Sequence, residues 1–343
     1  MTILLLAFTE QDGTLGKAAL EAAGAAKALA AATPNSTLVA GIAGASTEKA
    51  AAQLGGAGAA KILAVSGPDF SQPRYGSDAA ALEALCKAAS AEFVIAPATS
   101  RMSRVAPGVA QRLGGAVDTH VTGLSADNGA VTIQRWYYRQ RMEAGLRRSR
   151  KPWFILLDPG SQPEWQGAPG AANVEPISVT LPEDCKRTTV SGVRELSVDA
   201  QTIRPDAEML FVAGAGWTKK QADGQPHVAE AEKLILGFLR GARASLGSSK
   251  SLVDIGGEGQ AVLSFLTHLN QIGQTGSTPR HRKGLAACCH GEEPHTVGWR
   301  FIEERRAINL DANCGWARGK ADVLYVADAF AVMAKVNELL QVK

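Results

Sequence analysis

The sequence predicts an α/β protein of two domains, the first built on a doubly wound parallel sheet. Short apolar segments alternate with segments of helical spacing, which is typical of parallel strands covered by helices on both faces. The chain has 343 residues, a length that favours two domains. Glycine is abundant (36 residues) and aromatic residues make up only 6%, a composition suited to close packing of helices on a sheet.

The alternation is clearest in the N-terminal part. The predicted strands are continuous apolar runs, and the predicted helices are rich in alanine. The strands are Thr2–Phe8, Thr37–Ile42, Lys61–Val65 and Phe93–Ala98, and the helices are Leu15–Ala32, Ser46–Leu54 and Asp78–Ala91. Because crossover connections between parallel strands are right-handed, these elements are expected to form one doubly wound layer.

The pattern changes from about Val117 to Ser178, where Val131–Tyr138 and Trp153–Leu157 are β-like. The polar stretch Thr180–Pro205 indicates a linker, and a second α/β unit follows it. Its predicted elements are the strands Met209–Ala213, Gly284–Cys289 and Ala307–Leu310, the helix Val228–Leu246 and a final helix from about Ala327 to Val342. The predicted domains are therefore 1–180 and 207–343, joined by a linker at 181–206.

Charge, cysteine usage and the N-terminus exclude several classes of protein. A formal net charge of +3 is too small for a dedicated nucleic-acid binder. The five cysteines, Cys86, Cys185, Cys288, Cys289 and Cys314, have no regular spacing, which favours a reducing compartment over a disulfide framework. The first apolar run is too short for a signal peptide, acidic residues argue against a transit peptide, and no run is long enough to span a membrane. A cytoplasmic protein is therefore expected.

Two glycine-containing segments could hold a ligand. Ile272-Gly273-Gln274-Thr275-Gly276 would let backbone amides and a hydroxyl approach a ligand closely, although an ordinary turn explains the pentapeptide alone. Phe211–Trp217 is a strand that runs into a turn containing Gly214 and Gly216. It resembles half of the dinucleotide-binding motif G-x-G-x-x-G, but Lys219 stands where the motif has its last glycine. The alternative is an ordinary turn between a strand and a helix.

Two further segments carry reactive or charged side chains. The segment from Cys288 to His295 contains zinc-ligand residue types, so a metal-dependent hydrolase using His290, Glu293 and His295 is one hypothesis; Pro294 argues against it because it breaks helical spacing. Basic and aromatic residues are interleaved from Arg135 to Lys151. The small net charge favours a solvated hairpin face or a partner interface there over a nucleic-acid site.

Taken in order, these motifs resemble the alpha subunit of an electron-transfer flavoprotein, as a divergent member. The resemblance rests on Gly13-x-Leu15, Leu38–Gly41, Ala96-x-Ala98-Thr99 with Arg104–Leu113, the Gly-rich turn after Phe211–Ala213, Ser249-Lys250-x-x-Val253-Asp254, Gly273–Gly276, His295, Ala307-Ile308-Asn309-x-Asp311 and Val326-Ala327-Asp328. It implies an N-terminal domain that pairs with a beta subunit and a C-terminal flavodoxin-like or Rossmann-like domain that binds FAD. It also implies an electron-donating dehydrogenase and a downstream acceptor, for example a membrane quinone-linked one, and no substrate chemistry of the chain's own.

The resemblance assigns cofactor contacts residue by residue. The threonine of the Gly-Gln-Thr-Gly loop corresponds to a hydroxyl near the flavin N5, and His295 to an imidazole near the pyrimidine carbonyl, where a donor would stabilise negative charge on the reduced ring. Ser249 and Lys250 match a Ser-Arg pair beside the flavin, and Asn309 and Asp328 match the adenosine and ribose side. The full implied set is Gly214, Gly216, Ser249, Lys250, Ile272, Gly273, Gln274, Thr275, Gly276, His290, Gly291, Glu292, Glu293, Pro294, His295, Asn309 and Asp328.

The chain also departs from the family pattern. Gly216 stands where the family has an arginine, and Lys250 keeps a positive charge but loses the planar guanidinium. Glu292 and Glu293 put negative charge where the family has none. These departures leave a second hypothesis open, a scaffold subunit that kept the fold and lost the flavin.

Overall fold

The computed structural model describes residues 1–127, 129–138, 142–192, 203–204, 207–254, 261–272, 281–287 and 302–341. The chain divides into two compact units, Met1–Val193 and Arg194–Lys343. Each unit is built on its own β-sheet. No helix among the described residues is long and apolar enough to cross a membrane.

The first unit contains a nine-stranded sheet in its described residues, in the order β7-β6-β5-β8-β4-β1-β2-β3-β9. The strands are β1 Thr2–Phe8, β2 Thr37–Gly44, β3 Lys61–Ser66, β4 Phe93–Pro97, β5 Ala116–Asp127, β6 Ala130–Tyr137, β7 Met142–Leu146, β8 Trp153–Leu157 and β9 Val174–Pro176. Neighbours from β9 through β5 run parallel, whereas β5, β6 and β7 form an antiparallel extension.

Helices cover both faces of this sheet. The helices are α1 Lys17–Ala32, α2 Glu48–Leu54, α3 Tyr75–Ala89 and α4 Ser100–Arg112. One buried cluster joins α1 and α2 to one face, and a second joins α3 and α4 to the other. The alanines of α1 are buried because short side chains let the helix lie close to the sheet. The predicted doubly wound layer is therefore confirmed.

After β8 the chain crosses the outside of α1 and α2 before it adds β9 to the sheet edge; we call residues 158–173 the strap. The main-chain N–H of Trp165 donates to the Leu20 carbonyl (3.0 Å), and its indole N–H donates to the Gln53 carbonyl (3.0 Å). A Cβ built on Gly24 would lie 2.5 Å from the Pro163 carbonyl oxygen, so only glycine allows this close approach. Beyond β9, a 3-10 turn at Glu183–Lys186 lies against α3.

The second unit contains a five-stranded sheet in its described residues, in the order β11-β10-β12-β13-β14. The strands are β10 Met209–Ala213, β11 Ser245–Ser248, β12 His281–Ala287, β13 Ile302–Asn309 and β14 Val323–Val326, and all neighbours are parallel. The helices are α5 Val228–Ala242, α6 Lys250–Asp254, α7 Gly315–Lys320 and α8 Ala329–Gln341. Numbered within the unit, the strand order is 2-1-3-4-5, the flavodoxin-like arrangement, which confirms the predicted fold class.

One predicted element is wrong. The helix expected over Val228–Leu246 ends at Ala242, because Arg243 adopts a left-handed conformation (φ 50°) and turns the chain into β11. The strand β11 is made of serine, leucine and glycine, a composition that carries no strand signal. The short strands β9 and β14 were not predicted either.

Candidate functional site

The strand order of the second unit determines where a ligand site is expected. β11 lies on one side of β10 and β12 on the other, so the order reverses between β10 and β12. In open α/β sheets, ligands bind at the carboxyl ends of the strands beside such a reversal. The residues that follow the strands at this edge of the sheet are therefore the candidates for a ligand site.

The turn after β10 is held in place by its main chain. Gly214 donates its N–H to the Ala287 carbonyl of β12 (2.9 Å), and a 3-10 turn follows at Ala215–Thr218. The side-chain amide of Gln221 donates to the Gly216 carbonyl (3.0 Å) and closes the loop. Both predicted glycines therefore lie at the strand reversal.

Trp217 anchors this turn in the core. Its side chain is fully buried, and its ring packs on Phe330 with centroids 4.7 Å apart and planes tilted by 53°. Its indole Nε1 is buried without a hydrogen-bond partner among the described residues. A buried indole N–H normally finds an acceptor, so this atom is unusual.

The end of β11 supplies two buried serines. Ser249 donates its N–H to the Ala213 carbonyl of β10 (2.9 Å), and its Oγ accepts from the N–H of Leu252 in α6 (3.3 Å). Ser248 is fully buried, and its Oγ has no partner in the described part of the chain. The serine pair therefore carries the chain from β11 into α6 beside the turn after β10.

Lys250 begins α6 at the surface. Its side chain is 65% exposed, and its Nζ lies 3.7 Å from an Asp254 carboxylate oxygen; the other oxygen of Asp254 lies 3.6 Å from Nδ1 of His268. An exposed ion pair of this length is weak, so the ammonium is free to reorient toward an anionic ligand.

Ile272 reaches the same edge of the sheet. A bridge between Gln271 and Ser248 aligns it with β11, and its N–H donates to the Ser248 carbonyl (3.0 Å). Its side chain is buried against Gly247 and Leu210. The other residues of the predicted loop, Gly273, Gln274, Thr275 and Gly276, lie outside the described residues, as do His290, Gly291, Glu292, Glu293, Pro294 and His295.

Asn309 and Asp328 lie together at the ends of β13 and β14. Oδ1 of Asn309 accepts from the Asp311 N–H (2.9 Å), and Oδ1 of Asp328 caps α8 by accepting from the Ala331 N–H (2.9 Å). They line a small cavity of about 10 Å³ together with Gln221, Ile308, Leu310, Ala327, Ala329 and Phe330. The resemblance did not assign Gln221 or Phe330, and neither carries a motif signal in the sequence.

The metal hypothesis finds no support in the described part of the chain. No group of three histidine, cysteine or acidic side chains there is arranged to hold a metal ion. The three residues proposed as ligands, His290, Glu293 and His295, lie outside the described ranges. The thiols of Cys86, Cys185 and Cys314 are free.

The basic segment of the first unit surrounds one buried acid. Asp118 accepts hydrogen bonds from Arg135 (3.0 Å), from two nitrogens of Arg148 (2.9 Å each) and from the Trp153 indole (2.9 Å). Burial alone would raise the pKa of Asp118, and these donors outweigh it, so the pKa is lowered. Part of the basic segment therefore holds the sheet extension together.

Comparison with protein families identifies the first unit. The family model for the electron transfer flavoprotein domain matches residues 3–184, which is more than half of the chain. A search of curated proteins finds no match. Proteins of this family generally bind a flavin and work with a partner subunit and redox partners. The chain belongs to the electron transfer flavoprotein family.

Proposed function

We propose that this chain is the alpha subunit of a heterodimeric electron-transfer flavoprotein that binds FAD and relays electrons from a partner dehydrogenase to a downstream acceptor. The observation that carries the proposal is the second unit, an all-parallel sheet in 2-1-3-4-5 order whose strand reversal carries Gly214 and Gly216. The flavodoxin-like order binds flavin nucleotides at this position. The family match to the first unit supports the same assignment.

The described residues at this edge suit a flavin nucleotide. Trp217 Nε1 and Ser248 Oγ are hydrogen-bonding groups that lack partners in the described residues, and phosphate and carbonyl oxygens of FAD are acceptors. Lys250 adds an exposed positive charge. It stands where the family has an arginine, so the charge is kept and the planar guanidinium group is lost. Asn309 and Asp328 offer an amide and a carboxylate beside a pocket at the neighbouring strand ends.

In this proposal the residues hold and tune the cofactor, and none acts on a substrate. Bound FAD supplies the one- and two-electron redox chemistry. Lys250 raises the positive potential near the ring, which favours a reduced, negatively charged cofactor. Asp328 is suited to accept hydrogen bonds from ribose hydroxyls. The proposed cofactor domain comprises residues 207–343. A linker at 181–206 joins it to the domain at 1–180, which is proposed to pair with the beta subunit. The irregular spacing of the cysteines supports a cytoplasmic location.

Flavin content tests the proposal. The chain is co-expressed with its partner subunit, the complex is purified and denatured, and the released flavin is identified by chromatography and counted per complex. We expect FAD at one molecule per chain or more, and bleaching of its absorbance when a partner dehydrogenase and its substrate are added. A complex that holds no flavin and cannot be reconstituted with FAD contradicts the proposal and supports the flavin-free scaffold, which the glycine at position 216 would explain.

A further inference from the structure

Two buried hydrogen-bonding groups at the carboxyl edge of the second sheet have no partner in the described residues. They are Nε1 of Trp217 and Oγ of Ser248, and both side chains are 0% exposed. A buried group without a partner loses its hydrogen bonds to water and gains none in the protein, which costs free energy of folding. Two such groups at one edge of one sheet call for a common explanation.

The two groups belong to the same region of the unit. Ser248 ends β11 directly opposite Ala213, the last residue of β10, and Trp217 lies in the turn that follows β10. Ser248 points to the same face of the sheet as Leu246, because residues two apart in a strand share a face, and Leu246 belongs to the buried cluster that contains Trp217. The helix α6, which follows Ser248, also lies against the turn of Trp217.

Two indoles of the first unit have acceptors. Trp153 donates its indole N–H to Asp118 (2.9 Å), and Trp165 donates its own to the Gln53 carbonyl (3.0 Å). Trp217 differs because it follows the Gly-rich turn at the strand reversal. Each of the two groups is also the chain neighbour of a proposed cofactor residue, Gly216 for Trp217 and Ser249 for Ser248.

We propose that Trp217 and Ser248 are ligand-binding donors that complete their hydrogen bonds with phosphate oxygens of the dinucleotide. This inference rests on the proposed function. The turn after the first strand of a doubly wound unit is where such folds bind phosphate groups. Phosphate oxygens offer only acceptors, which suits an indole N–H and a hydroxyl. Because Nε1 is buried, the turn at Ala215–Thr218 shifts when the ligand binds, and the indole environment changes with it.

The test uses Trp217→Phe, which removes the N–H and keeps an aromatic ring, and Ser248→Ala. Thermal unfolding without ligand and the dissociation constants for FAD and for ADP are measured on the full chain in complex with its partner subunit. We expect Ser248→Ala to unfold at or above the wild-type temperature, since a costly unpaired group is gone. We expect Trp217→Phe to weaken the binding of FAD and of ADP about five- to tenfold, because one hydrogen bond to the ligand is lost. The wild-type tryptophan fluorescence should change on ADP binding, and that change should be absent in Trp217→Phe.

Trp165→Phe is the matched control, because its indole has an acceptor in the first unit. It should unfold at a lower temperature and bind FAD and ADP as wild type does. Unchanged affinities in both Trp217→Phe and Ser248→Ala would overturn the inference. Weaker FAD binding with unchanged ADP binding would overturn the phosphate assignment. A wild-type protein that binds ADP but no flavin would contradict the proposed function. The inference would still be tested in that case, by comparing the ADP affinities of wild type, Trp217→Phe and Ser248→Ala.

Discussion

Glu21 is a carboxylate in an apolar setting. It lies on α1 beneath the strap, only 3% exposed, and its Oε2 accepts a hydrogen bond from the N–H of Gly160 (2.7 Å). Burial raises its pKa from the ordinary 4.5 to about 7, against the lowering effects of the Gly160 hydrogen bond and of Lys17. The folded state therefore binds this proton more tightly than the unfolded chain does.

This pKa predicts a pH-dependent stability of the first unit. Below pH 4.5, Glu21 is protonated in both the folded and the unfolded state, and the free energy of unfolding has its highest contribution from this residue. That contribution is lost as the pH rises through about 7, because the folded protein must then bury a charged carboxylate or keep the proton that the unfolded chain releases. Glu21→Gln should remove that dependence, because an amide keeps an acceptor for Gly160 and never ionises. We expect the variant to be more stable than wild type above pH 8 by about 1–3 kcal/mol.

Denaturant unfolding at pH 5 and pH 8 measures the effect. Glu183→Gln is the control, since Glu183 is an exposed carboxylate in the same unit. It should keep the wild-type difference between the two pH values. An equal difference in Glu21→Gln would show that another group titrates.

Single residues of the candidate site were only partly predictable from sequence. Gly214, Gly216, Ser249 and Ile272 were found as motifs, and the structure brings them to one edge of the second sheet. Trp217 and Gln221 were missed as ligand candidates because their importance depends on burial and hydrogen-bond partners, which are tertiary properties. The sequence shows an indole and an amide at these positions but not whether an acceptor lies nearby.

The strap and α1 are in contact through main chains, which makes Gly24 a sensitive position. Alanine in a helix is normally more favourable than glycine by about 1 kcal/mol. At Gly24 the added methyl would meet the Pro163 carbonyl oxygen at 2.5 Å and the Trp165 nitrogen at 3.3 Å. Both are backbone atoms, and the Trp165 N–H also donates to the Leu20 carbonyl, so they cannot move freely. Gly24→Ala should therefore destabilise the first unit by about 1–3 kcal/mol.

Gly319→Ala in α7 is the same substitution in open space, with no atom within 4 Å of the added methyl. It should leave stability unchanged or raise it by up to about 1 kcal/mol. Urea unfolding of both variants gives the comparison. A stabilised Gly24→Ala would mean that the strap is held more loosely than its hydrogen bonds indicate.

Elements with strong apolar runs were predictable, and those defined by context were not. β1, β4, β8 and β10 are continuous hydrophobic segments, and the structure confirms them. β11 is recognisable only from its pairing with β10, because Ser245–Ser248 has no strand propensity of its own. The end of α5 depends on one left-handed residue, Arg243, where glycine would have been a clear signal.

At the scale of the whole molecule, two sheets with different strand orders divide the chain's roles. The first unit, which the family model matches, has its strands in the order 3-2-1-4 at the centre of a larger mixed sheet. The second has the flavodoxin-like 2-1-3-4-5 order and carries every described residue of the proposed cofactor site. A ligand that binds only the second unit should stabilise that unit and leave the first unchanged.

Hydrogen exchange read by mass spectrometry tests this division in the purified complex. At a free FAD concentration of 100 times the dissociation constant, binding stabilises the folded site by about 2.7 kcal/mol, so exchange through unfolding of that unit slows about 100-fold. We expect this slowing in peptides from β10, β11 and β13, and none in peptides from β1, β2 and β4. Trp217→Phe at the same FAD concentration should show five- to tenfold less slowing in the same peptides. Protection that centred on the first unit instead would locate the flavin there and contradict the assignment of the cofactor to the second.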